Sequence, residues 1–162
     1  MRYMLAAAAL LFAAGCQTVP DRAPDFTPAQ VVILKENGFA PVDGNWELRI
    51  EDQLLFDSDM STLAPGRQAV VDRLVRALLA AGVRGGLLEG HTDSVGSVGY
   101  NAGLSRARAE AVKAAMVTSG MADANVRLVA LGEAYPVQTN RTPTGRRENR
   151  RVVLIVTPRD AK

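Results

Sequence analysis

The chain predicts an α/β fold, a mixed sheet with helices packed on one of its sides. Two observations carry that expectation. Strand-like runs alternate with helical ones: residues 86–89 and 126–131 are short and apolar, and between or before them apolar residues recur at three and four. The last run, 151–156, is apolar almost throughout, as a central strand should be. Strand–helix–strand–helix–strand alternation with a final strand makes a two-layer sandwich.

The first element in order is an export segment. Met1 and Arg2 precede the apolar run 5–14, which ends in small residues and is too short to span a bilayer comfortably. Residues 1–15 therefore read as a cleaved signal peptide. Residues 16–26 follow, a cysteine and a tether with two prolines and no hydrophobic period. Cys16 is the one cysteine of the chain, so an intramolecular disulfide is impossible.

Residues 27–52 form a front segment. Thr27, Pro28 and Gln30 fit a capping box with proline at the first helical position, and Asn37-Gly38 closes the short helix. After Phe39 and the turn at Asp43, Gly44 and Asn45, residues 46–51 alternate, with Trp46, Leu48 and Ile50 on one face of a half-buried strand. Two readings stand for Phe26, Phe39 and Trp46: packing onto the domain, or contact with a protein partner.

Residues 53–158 hold the main domain, and 159–162 are a tail. Pro65-Gly66 opens a helix whose Val70, Val71, Leu74, Val75, Leu78 and Leu79 make one stripe, stopping at Ala81-Gly82. After the 86–89 strand comes a loop from Gly90 to Gly99. The helix after it repeats Leu104, Ala107, Arg108, Ala111, Val112, Ala115 and Met116. The strand 126–131, a loop through Tyr135-Pro136 and Thr142-Pro143, a turn or helix near 146–149 and the strand 151–156 complete the chain.

The loop offers Asp93 and the helix offers Arg108. Folded into one pocket, they suit a zwitterion, with a carboxylate for its ammonium and a planar fork for its carboxylate. The plainer reading is a salt bridge tying loop to helix, which at a surface contributes only ~0–1 kcal/mol. Asn101 is expected to cap the helix and brace the loop, and Leu104 to form an apolar wall. Arg150 and Arg151 open the last strand, where either rim contact with the pocket or bracing of the domain would use them.

Other chemistries fare poorly. His91 near Asp93, Ser94 and Ser105 lacks a nucleophile elbow, and no second histidine exists. One histidine and one cysteine cannot close a zinc site, so no metal, cofactor or catalytic residue is expected. The formal charge is +2, and without Arg2 the chain carries 18 basic against 17 acidic residues. That balance, with no aromatics interleaved in the arginine-rich run 146–151, opposes nucleic acid.

The segment GHTDSVGSVGYNAGLSRARAEAV from Gly90 strongly resembles the signature of OmpA-like peptidoglycan-binding domains. Leu55-Phe56-Asp57 resembles the family's opening strand end, and Asn149-Arg150-Arg151-Val152 its closing motif. The resemblance implies an OmpA-like α/β sandwich that binds cell-wall peptide without catalysis, Asp93 and Arg108 clasping diaminopimelate. It also implies a polar contribution from Asp59. Ala14-Gly15-Cys16 resembles a bacterial lipobox, which implies lipidation of Cys16, and Gln17 after it favours the outer membrane. The front pattern, Phe26-Thr27-Pro28 through Gly38-Phe39, Gly44 and Trp46, is similar to that of YfiB-type lipoproteins. That similarity implies a further partner, a periplasmic repressor of a diguanylate cyclase. A tether between outer membrane and wall, as in Pal-like lipoproteins, is the alternative.

Overall fold

The computed structural model describes residues 25–57 and 60–161. The signal peptide, Cys16, most of the tether and Asp59 lie outside the described residues. Helix α1 (Pro28–Glu36) starts with a complete capping box: Gln30 N donates to Thr27 Oγ1 and Thr27 N to Gln30 Oε1. Its end is followed by Gly38 at φ +83°, a conformation that glycine adopts without strain.

A hairpin follows, β1 (Ala40–Val42) and β2 (Asn45–Glu51), paired antiparallel across the expected turn. The three-residue β1 carries no alternation of its own and is readable only from its partner. Past β2 the chain makes a 3-10 turn, Asp52–Leu54, and a lone bridge between Phe56 and Leu63. The Phe-Asp segment is thus not a strand end as the motif suggested, because it leaves the sheet at Glu51.

Then come α2 (Gln68–Ala80), β3 (Gly86–His91), α3 (Val98–Thr118), β4 (Val126–Gly132), α4 (Pro143–Asn149) and β5 (Arg151–Val156). The sheet order is β1-β2-β5-β3-β4, which makes the apolar β5 central as expected. Among the described strands only β3 and β4 run parallel, and α3 is the crossover that such a pair requires. Register aligns Leu48, Leu154 and Leu88 in one row, and this face packs beneath the helices with Val75, Leu78, Val112 and Met116. The next row, Arg49, Val153 and Glu89, belongs to the other face.

Two stripes differ from expectation. Val70 is 42% exposed, since α2 turns its Val71, Val75 and Leu78 inward instead. On α3 the buried line runs through Asn101, Ser105, Arg108, Val112 and Ala115, with Leu104 half-buried beside it. The line includes polar residues because the N-terminal half of α3 faces a cavity rather than the apolar core.

Phe39 and Trp46 are 4% and 7% exposed and belong to the core, so they are not surface contacts for a partner. They share one buried cluster with Leu34 of α1. Phe26 is half-buried and meets Trp46 edge-on with ring centres 6.5 Å apart.

Candidate functional site

The loop between β3 and α3 is held from three sides. Asp93 Oδ1 accepts from Val95 N at 3.0 Å, closing a local turn. Ser97, not Asn101, caps α3, its Oγ accepting from Tyr100 N at 3.2 Å. Asn101 sits one turn further in and is 1% exposed; its Nδ2 donates to the carbonyl of Asp93 at 3.2 Å and also to Glu133 Oε2. It braces the loop but does not cap the helix. From below, Asn149 accepts from Val137 N and Gln138 N and donates to Asn140, whose Oδ1 in turn accepts from Ser94 N. The motif's asparagine is therefore a buried scaffold for the two loops.

The three glycines from Gly90 to Gly99 are not equivalent. A Cβ on Gly90 would stand 2.1 Å from the carbonyl oxygen of Ser105, so Gly90 allows α3 to lie close on β3. Gly96 has φ +102° and bends the loop beneath the Tyr100 ring. Gly99 has open space around it. Of these three, Gly96 alone has a positive φ.

A cavity of about 770 Å³ opens against this loop. Asp93, Asn101, Leu104, Arg108 and Arg150 all line it, so the described residues named from the sequence come together. Asp93 and Arg108 are not paired to each other. Arg150 Nη1 donates to Asp93 Oδ2 at 2.6 Å, and Arg108 Nη2 lies 3.0 Å from Asp52 Oδ2. Arg150 Nε approaches that same Asp52 oxygen at 3.8 Å. Two carboxylates and two guanidiniums thus alternate around the wall. Arg151 follows a different course, donating to the carbonyls of Asn149 and Tyr135.

Arg108 is 2% exposed and its fork is fixed in three ways. Nε donates to the carbonyl of Met60 at 3.1 Å, Nη2 pairs with Asp52, and the plane lies 5.5 Å over the centre of Phe56. Nη1 is buried without a hydrogen-bond acceptor among the described residues. A buried guanidinium nitrogen left unsatisfied is costly.

Sequence reasoning missed Asp52 and Glu133. Asp52 opens the 3-10 turn just past β2, and its backbone N donates to the carbonyl of Arg150. That cross-strand register, not a motif, brings Asp52 beside both arginines. His91 does not line the cavity. Burial, with Arg151 and Arg49 nearby, pushes its imidazole down to about 4, so it is neutral at pH 7. Among the described residues no group of three His, Cys, Asp or Glu could hold a metal ion.

With this site in place, the family model described as OmpA family matches residues 55–150. The chain belongs to the OmpA family. The outer-membrane lipoprotein YfiB of Pseudomonas aeruginosa is 41% identical over 143 residues, 88% of this chain and 84% of the relative. The putative lipoprotein YfiB of Escherichia coli is 35% identical, covering 91% of each. Among solved structures, the peptidoglycan-associated lipoprotein from Burkholderia pseudomallei is similar with a TM-score of 0.56 and 33% identity. It covers 62% of this chain and 86% of that one. The OmpA-family match begins after the front segment, whereas the YfiB similarities extend over most of the chain. Among the described residues no helix is long and apolar enough to cross a membrane.

Proposed function

We propose that this OmpA-family protein is an outer-membrane lipoprotein, anchored through lipid on Cys16, whose cavity binds peptidoglycan without catalysis. The ligand group is the zwitterionic end of diaminopimelate. Its carboxylate pairs with Arg108 and its ammonium with Asp93, while Asn101 and Leu104 hold and wall the site and Arg150 orients Asp93. Asp59 is a further polar contributor. The observation that carries this reading is that Asp93 and Arg108 line one cavity without being paired to each other. Names among the relatives and solved structures, outer-membrane lipoprotein and peptidoglycan-associated lipoprotein, support it.

The test is co-sedimentation of the Cys16→Ser protein with peptidoglycan containing diaminopimelate, circular dichroism reporting the fold. An Asp93→Ala/Arg108→Ala double variant that stays folded should remain in the supernatant. Wild-type sedimentation by that variant would refute the site. Fractionation of cells carrying Cys16→Ser tests the anchor, which predicts release from the membrane fraction.

The finer reading is that the front segment, residues 27–52, lets the protein hold a periplasmic repressor of a diguanylate cyclase. It is favoured by similarity to the YfiB lipoproteins that spans 88% and 91% of this chain, more than the OmpA domain alone. Because Phe39 and Trp46 are core residues, the exposed contacts must come from other side chains of that segment and from Phe26. Pull-down of the repressor by wild type, and its absence with a pure wall tether, separate this from the Pal-like alternative.

A further inference from the structure

On the far side of the Asp52–Leu54 turn from the cavity lies a second concavity, of about 360 Å³. It runs between α2 and β2, beside the end of α1. Its floor is apolar, made by Leu48, Ile50, Leu55, Val71 and Leu74. Leu48 and Ile50 of β2 are only half-buried there. Two large side chains of the same groove stand open to solvent, Leu54 at 55% and Val70 at 42% exposure. Scattered exposed hydrophobics need no explanation, but two that flank a concave apolar floor do.

The groove also carries Arg49, Arg67 and Arg73 and no acidic residue. Arg49 has Glu47 at 3.6 Å, whereas Arg67 and Arg73 form no ion pair among the described residues. Arg67 stands at the N-cap of α2, with no side-chain cap bond and no acidic residue in the first turn. A cation there opposes the helix dipole, where Ser or Asp would be favourable. Departures from a local rule with no structural return mark functional positions.

We propose that this groove docks an acidic amphipathic segment of a protein partner, apolar side chains on the floor and carboxylates on Arg67 and Arg73. The charge pattern selects the occupant: an apolar peptide would leave two desolvated guanidiniums unpaired, and a basic one would be repelled. A lipid surface fits less well, because the apolar residues line a hollow rather than project from a face. The inference rests on the partner half of the function proposed above, to which it adds a surface and a chemistry.

The experiment is selection of random 12-residue displayed peptides on the Cys16→Ser protein, followed by titration of the enriched peptides. The expected result is enrichment of sequences combining Leu, Ile or Phe with Asp or Glu. Their affinity should drop at least tenfold in Arg67→Glu/Arg73→Glu and, separately, in Leu54→Ser. Both variants should still co-sediment with peptidoglycan, which shows them folded. No enrichment, enrichment without acidic bias, or binding that these substitutions leave unchanged would overturn the proposal. So would displacement of the peptides by a synthetic copy of residues 17–24, which makes the protein's own tether the occupant. Uptake by phosphatidylglycerol vesicles that needs Arg67 and Arg73, without peptide enrichment, would assign the groove to lipid instead. Because the selection uses no repressor, failure to capture that protein and failure of the groove remain distinct results.

Discussion

Asp52 and Arg108 form a 3.0 Å ion pair in which both side chains are almost fully buried, 9% and 3% exposed. The pair joins the end of the front strand to the central helix, so the cavity is built partly by residues outside the span that matches the family model. Removing one member of a buried pair leaves the other charge uncompensated, at about 3–5 kcal/mol. Asp52→Ala should therefore lower unfolding stability by an amount of that order and weaken peptidoglycan binding. Urea denaturation with co-sedimentation measures both. A variant as stable as wild type would mean that solvent, not Asp52, balances Arg108.

Gly90→Ala and Gly99→Ala should separate sharply. At Gly90 the added methyl meets backbone of Ser105 at 2.1 Å, and α3 cannot retreat without losing its packing on β3. Overpacking of this kind costs ~1–3 kcal/mol. Gly99 has room and lies in the first turn of α3, so alanine there should be neutral or stabilising by up to ~1 kcal/mol. Thermal melting of the two variants checks the contrast.

Those two glycines also mark the limit of what the sequence could tell. Periodicity located the helices and most strands because each buries a regular stripe, and the capping box at Thr27 was legible as chemistry. The short β1 was not, because three residues carry no pattern. Within the site, Asp93, Asn101, Leu104, Arg108 and Arg150 were found through motifs. Their pairing was not, since Asp93 with Arg150 and Arg108 with Asp52 depend on sheet register and on how α3 crosses β3. Phe39 and Trp46 illustrate the same point from the other direction. An aromatic in a short front segment has no sequence signal that tells core from interface; only burial decides.

His91 should make the fold acid-sensitive. Its imidazole titrates near 4 in the folded protein and near 6.5 when unfolded. Between those values the unfolded state binds the extra proton, so stability falls as pH drops from about 6.5 to about 4 and changes no further from this group below that. Glu89, whose carboxyl burial pushes up, acts in the opposite sense. Urea midpoints at pH 7 and pH 4.5 should differ less in His91→Gln than in wild type. An equal difference in both would show that other groups set the acid limit.

Arg108→Lys tests whether the site needs a cation or a fork. The guanidinium is held in three ways at once: Nε to the Met60 carbonyl, Nη2 to Asp52, and its plane over the Phe56 ring. An ammonium is a single point with a different reach, so it can satisfy Asp52 or a ligand carboxylate but not hold the same geometry to both. Truncating one partner of a buried charged contact costs about 2–5 kcal/mol at protein interfaces. Lysine should recover only a small part of what Arg108→Ala loses, and binding should stay at least tenfold below wild type. Titration of the Cys16→Ser protein with a soluble diaminopimelate-containing wall peptide measures this directly. Near-wild-type affinity with lysine would mean that charge alone holds the ligand.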